Sequence, residues 1–247
     1  MSKTYAILSD LQGHKVDRWA WGATLSALKA LRPDVVVLAG DIVDYDDISS
    51  YRKLPEKRVR LDKECRFVRQ RILEPLRAAV GKRTGVVYLE GNHEDRLQRY
   101  LADKAPELWG TMADTPTLLQ LDSFGVDWMG RTPYWINSHL VVVHGHVVRK
   151  WSGHTARALV TEYKCSVIHG HCHRMGTYYE SGANGREWVG IENGHMMDMR
   201  TATYVAGVPN WQAGWTWVTD HGGGTFFCEQ AKVIGRRLLF RDKVWVK

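Results

Sequence analysis

The sequence predicts an α/β protein with two facing mixed β-sheets flanked by helices. Three features carry that expectation. Through the first two thirds of the chain, short apolar runs rich in β-branched residues alternate with stretches of helical periodicity, the rhythm of parallel strands joined by right-handed crossovers. In the last third, strand-like runs follow one another with no helix between them, which implies antiparallel pairing. Five of the runs also end in Asp, Asn or His, at the edge of an open sheet where ligands sit.

Residues 5–9 form the first predicted strand, which empties into Asp10-Leu11-Gln12-Gly13-His14. Trp21, Leu25, Leu28 and Leu31 then recur at helical spacing, so a helix over 17–31 lays one face on the sheet until Pro33 stops the pattern. Residues 34–39 make the second strand and deliver Gly40-Asp41-Ile42-Val43-Asp44. From Pro55 onward, Leu61, Cys65, Val68, Ile72, Leu76 and Ala79 mark a second amphipathic helix. Pro75 should kink or divide it, because proline lacks a backbone donor and clashes with the preceding turn. The third strand, 86–89, closes in Gly91-Asn92-His93-Glu94, and a helix is expected over 94–104. Residues 112–121 read as a helical or irregular insertion near the cleft. Strand 140–143 ends in His144-Gly145-His146, a helix covers 154–164, and strand 165–168 ends in His169-Gly170-His171-Cys172-His173. Segments 177–179, 187–191, 214–219, 225–228 and 233–240 complete the strands.

With 247 residues and 44% hydrophobic content, the chain can bury a full core within one domain spanning 1–247. No stretch approaches the ~20 apolar residues of a membrane span, and the amino terminus runs straight into a strand, so a soluble cytoplasmic protein without membrane partners is expected. Cys65, Cys165, Cys172 and Cys228 include no CxxC pair, which argues against a zinc ribbon or a disulfide framework. The net charge of +7 favours anionic partners. Among eleven tryptophans, Trp211, Trp215 and Trp217 crowd together; packing is their first reading and base stacking the alternative.

Carboxylate, amide and imidazole groups together suit a divalent first-row ion such as manganese, iron or zinc. Asp10, Asp41 with Asp44, Asn92 with His93, His144, and His171 with His173 outnumber what one ion needs, and two ions sharing a carboxylate account for the surplus. In order, Asp10-x-Gln12, Gly40-Asp41-x-x-Asp44, Gly91-Asn92-His93-Glu94, His144-Gly145 and Gly170-His171-x-His173 resemble the five signature blocks of the calcineurin-like metallophosphoesterase superfamily. The blocks span residues 10–173. With Gln12 where that superfamily usually has His, and with Pro209-Asn210-Trp211-Gln212 near the end, the chain is similar to a subgroup often encoded by phages.

The resemblance implies a four-layer α/β/β/α sandwich and a metallophosphoesterase with two divalent ions, manganese first, with iron, zinc or magnesium as alternatives. Asp10 and His173 would hold one ion and Asn92, His144 and His171 the other, with Asp41 bridging. Gln12 would complete the first site through its amide oxygen, or leave that place to His14. His93 would be the general acid, its ring fixed by Asp44. Arg96 reads as a contact to substrate phosphate, and His14 and His146 as further substrate contacts. His169 reads as a core residue, His195, His139, His154 and His221 as surface-loop residues, and Asp46 and Asp47 as loop caps. The expected reaction is hydrolysis of a phosphate ester by hydroxide generated on the ions. The basic balance and the aromatic carboxyl-terminal region tilt the substrate toward a diester of DNA, RNA or a nucleotide. A phosphomonoesterase or protein phosphatase is the first alternative, although Tyr45, not arginine, follows Asp44. A non-enzymatic nucleic-acid-binding protein with a degraded metal site is the second, supported by Gln12 alone. Oligomeric state is not legible.

Overall fold

The computed structural model describes residues 2–50, 59–111, 113–183, 185–202, 205 and 207–246. In chain order the first strands are β1 (Lys3–Leu8), β2 (Val35–Leu38), β3 (Gly85–Leu89), β4 (Val126–Gly130), β5 (Tyr134–Asn137), β6 (Leu140–Val143) and β7 (Ser166–His169). They continue with β8 (Met175–Ser181), β9 (Glu187–Asn193), β10 (Gly214–Gly222), β11 (Thr225–Ile234), β12 (Arg237–Phe240) and β13 (Lys243–Trp245). One sheet has the order β13-β12-β11-β10-β1-β2-β3-β4, the other β5-β6-β7-β9-β8. Both are mixed. β1 to β4 run parallel while β10 joins β1 antiparallel; β6, β7 and β9 run parallel between the antiparallel β5 and β8.

The period of two along β1 to β3 sorts their side chains into two cores. Ala6, Leu8, Val36, Leu38, Val86 and Tyr88 face a helical layer made by α1 (Arg18–Leu31), α2 (Leu61–Val68) and α3 (Glu74–Val80). Ile7, Val37 and Leu89 face the other way and meet Leu140, Val142 and Ile168 of the second sheet. The far face of that sheet packs Val141, Val143 and Val167 on Leu159 and Val160 of α6 (His154–Tyr163). The result is four layers in the order helix, sheet, sheet, helix.

Asp17 caps α1 by accepting from Trp19 N at 2.8 Å and Ala20 N at 3.0 Å, which fixes the start that the periodicity predicts. The second helix is divided beside Pro75, as expected. A π turn, Arg69–Leu73, joins α2 to α3, and Pro75 falls in the first turn of α3. Proline has no N–H for the carbonyl of Arg71, and the Trp21 indole supplies the donor at 3.0 Å instead. The expected start of that helix at Pro55 lies outside the described residues. α4 (Asp95–Lys104) falls on the helix expected over 94–104; α5 (Thr115–Leu119) lies within the stretch 112–121 that the sequence leaves open, and β4 and β5 come after it. Those two strands escape a pattern-based reading because they are short and half polar. The expected single strand over 233–240 is two strands, parted where Gly235 takes φ +57° and turns β11 into β12.

Candidate metal centre at the strand ends

The loops that follow β1 and β2 lie side by side, with Asp10 N donating to Gly40 O at 3.1 Å and Gln12 N to Asp41 O at 2.9 Å. Asp10, Gln12, Asp41, His171 and His173 all adopt positive φ, between 54° and 66°. That conformation is costly for any side chain beyond glycine, and its concentration at one place marks a region where the surroundings hold the backbone against its preference. Glu94 is the main brace. It is fully buried and accepts from Asp41 N at 2.9 Å, Gly91 N at 2.8 Å, Ile42 N at 2.8 Å, Val43 N at 3.3 Å and the Tyr88 hydroxyl at 2.6 Å. Gly91 is obligatory beneath it, since a Cβ there would strike the Asp41 carboxylate and approach Asp41 N to 2.5 Å.

Two groups of metal-capable side chains result, Asp10–Asp41–His173 and Asp41–His144–His171, each with its ligand atoms within 4.8 Å of one another. They share Asp41. His173 Nε2 is 3.2 Å from Asp10 Oδ1, and His144 Nε2 is 3.3 Å from Asp41 Oδ1 and 3.1 Å from Asn92 Oδ1. Groups bound to one ion at about 2.0–2.2 Å stand at such separations from one another. Gln12 is buried with its Nε2 3.2 Å from His173 Nε2, while its Oε1 has no hydrogen-bond partner. Exchanging the two amide atoms puts the oxygen beside His173. His14 lies elsewhere: its Nδ1 is 3.8 Å from Glu64 Oε1, and it belongs to neither group.

The electrostatics ask for a cation. Burial would raise Asp10 and Asp41, yet His173 beside the first and His144 and His93 beside the second hold both carboxyls below the ordinary range. Burial likewise opposes a charge on His144, but Asp41 lifts its imidazole to about 10. His171, desolvated and next to His144, falls to about 4. A protonated imidazole thus supplies positive charge that a divalent ion could supply in its place, and the oxygen and nitrogen donor set fits such ions.

His93 Nδ1 is 2.8 Å from Asp44 Oδ1, and its Nε2 is 3.6 Å from Asp41 Oδ2. Burial disfavours its charge, but Asp41 and Asp44 outweigh burial and the opposing Arg96, so the imidazole is raised. Asp44 also takes Lys15 Nζ at 2.5 Å, a partner the sequence did not mark. Arg96 is not free for phosphate as its position in sequence suggests: it donates to Asp44 O at 2.7 Å and Oδ1 at 3.0 Å, and its Nη2 is 2.9 Å from His93 Nε2. His195, expected on a surface loop, is instead fully buried against His173, with ring centroids 5.6 Å apart. Trp211 stands 4.5 Å from the His173 ring, whereas Trp215 and Trp217 belong to the core. His169 is buried as expected, and His146 is half exposed, 3.2 Å from Glu162. A cleft of about 430 Å³ opens on the second group, lined by Asn92, His144, His171, His146, Arg99 and Arg131.

A family model described as calcineurin-like phosphoesterase matches residues 3–184. The "Gene 54 protein" of Mycobacterium phage L5 is 32% identical over 261 residues, covering 99% of each chain. A shorter match, 34% over 80 residues, covers 32% of this chain and 20% of the "cAMP/cGMP dual specificity phosphodiesterase MT0825" of Mycobacterium tuberculosis (strain CDC 1551 / Oshkosh). Among solved structures, Yfce, a phosphoesterase from E. coli, is similar over 94% of this chain and all of that one, at 13% identity and a TM-score of 0.43. The layered sheets and the sequence match define a metal-dependent phosphoesterase. The chain belongs to the calcineurin-like phosphoesterase family and is a hydrolase acting on phosphoesters. Among the described residues, no helix is long and apolar enough to cross a membrane.

Proposed function

We propose that the chain, working as one domain, hydrolyses phosphodiesters of nucleic acids or nucleotides at a two-ion centre in which Asp41 is shared. The observation that carries the reading is the membership of Asp41 in both metal-capable groups. Asp10, His173 and the Gln12 amide oxygen hold one ion with Asp41; Asn92, His144 and His171 hold the other. Manganese is the first choice for both, since imidazole, amide and carboxylate without thiolate make a hard to borderline set. When bound, the ions supply Lewis-acid activation of water and neutralise phosphoryl oxygens.

His93 supplies the proton for the leaving oxygen from Nε2, the nitrogen turned toward Asp41; that nitrogen accepts from Arg96 Nη2 and takes up the proton when the Arg96 contact opens. Asp44 fixes the ring through Nδ1 and stabilises its cationic form. Arg96 positions both residues, and its contact with Nε2 must loosen before that nitrogen can donate. Arg99, Arg131 and His146 line the cleft beside the second group and receive the remainder of the substrate. A diester is favoured by the net charge of +7 and by the local likeness to a protein described as a cyclic-nucleotide phosphodiesterase.

The test compares manganese-dependent turnover of a chromogenic phosphodiester, a chromogenic monoester and single-stranded DNA. Diester cleavage without monoester turnover is expected. Monoester preference would assign a phosphatase, and DNA binding without turnover a binding protein. Asp41→Ala and Asn92→Ala should each abolish hydrolysis while leaving the circular-dichroism spectrum unchanged; activity retained in either contradicts the two-ion centre.

A further inference from the structure

His169, Cys172 and Glu192 form another cluster of metal-capable groups, with ligand atoms within 4.8 Å of one another and none shared with the strand-end centre. All three are buried. His169 ends β7, Glu192 is its register partner on β9, and Cys172 sits in the loop between His171 and His173. His169 Nδ1 is 2.7 Å from the carbonyl oxygen of Gly170, so that nitrogen carries the ring proton and donates. Nε2 is then a lone pair in the dry interior, and it has no hydrogen-bond partner. Among the described residues, the Glu192 carboxylate accepts long bonds from Thr155 N at 3.2 Å and Ser152 Oγ at 3.3 Å. An imidazole and a carboxylate therefore lie beside a thiol, whose S–H is a weak donor, and Nε2 is left an unpartnered acceptor at a cost in free energy.

We infer that this cluster is a separate structural zinc site that ties β7, β9 and the 171–173 loop together. Imidazole, thiolate and carboxylate would be three of the four ligands of a tetrahedral zinc, with water as the fourth, and the charges of Cys172 and Glu192 would balance the ion in a medium that tolerates no net charge. The cysteine proton is released to solvent on binding. An ion here would brace the loop that carries His171 and His173, independently of what occupies the strand ends.

The thiolate distinguishes the two centres, because the strand-end residues offer only oxygen and nitrogen. Cobalt(II) bound by sulfur gives a near-ultraviolet charge-transfer band. Cobalt-saturated full-length protein is expected to show that band, to keep it in Asp41→Asn and in the combined Cys65→Ser, Cys165→Ser, Cys228→Ser variant, and to lose it in Cys172→Ser. A saturated wild type without the band overturns the proposal, and needs no variant to fold. So does a band that survives Cys172→Ser, or one that disappears with Asp41→Asn.

Discussion

Asp44 is a buried carboxylate to which the proposed reaction and the stability of the fold both make a claim. It faces His93, Lys15 and Arg96 at 3.0 Å or less. Asp44→Asn removes the charge that favours protonated His93, and kcat on a chromogenic diester should fall about a hundredfold with KM little changed, in line with the range for general acids and their orienting partners; a fall smaller than about threefold would remove His93 from the acid role. Burial would raise the Asp44 carboxyl, but His93 and Lys15 hold it below its ordinary value of 3.8. The sign follows from linkage: a carboxyl depressed in the folded state contributes stability that is whole above 3.8 and is lost as pH falls through its folded value. Urea midpoints measured between about pH 5 and about pH 2 should therefore fall less steeply in Asp44→Asn than in the wild type. Asp10, Asp41, Asn92, His93, His144, His171 and His173 stand out in sequence because polar residues that end an apolar run have no packing role. Lys15 and His195 do not: one looks like an ordinary surface cation, and the other follows a strand without belonging to any signature block.

At the scale of elements, most of the pattern was legible because β1 to β3, β6, β7 and α1 bury continuous faces, and burial is what periodicity records. The joint between α2 and α3 shows where such a reading stops. Proline predicts the interruption, while the indole of Trp21 satisfies the freed Arg71 carbonyl from a different helix, and no local pattern contains that contact. Trp21→Phe should cost about 1–3 kcal/mol, the penalty of a buried carbonyl left without its donor, read as a lower urea midpoint with unchanged m-value. Glu94 joins the Asp41 and Asn92 loops by five bonds. Glu94→Gln turns an amide NH₂ toward backbone donors and should lower both the melting temperature and metal affinity, measured by calorimetry and by titration with manganese. Gly190 on β9 has Ala156 O and Ala156 Cβ of α6 each 2.9 Å from where a Cβ would stand, so Gly190→Ala should lift that helix at a cost of about 1–3 kcal/mol.

For the whole molecule, ion binding and folding should be linked. The two strand-end groups contain the buried carboxylates of Asp10 and Asp41, beside His173 and His144, and a ligand that binds the native state alone stabilises it by about 2.7 kcal/mol at a hundredfold excess over Kd. In a chain of this size that corresponds to about 5–10 °C, so chelation should lower Tm by that amount and added manganese restore it; an unchanged Tm would contradict any tight site at the strand ends.

The two sheets divide the metal-capable residues between them. Asp10, Asp41 and Asn92 follow strands of one sheet, and His144, His171 and His173 follow strands of the other. The dry seam of Ile7, Val37, Leu140, Val142 and Ile168 is then the bearing on which the two halves of the cage are trued to each other. A slip there, too small to unfold anything, would still part the two sets of metal-capable side chains that Asp41 joins. Thinning the seam with Ile168→Ala should accordingly register first as weakened cation capture, in a residue that belongs to neither metal-capable group.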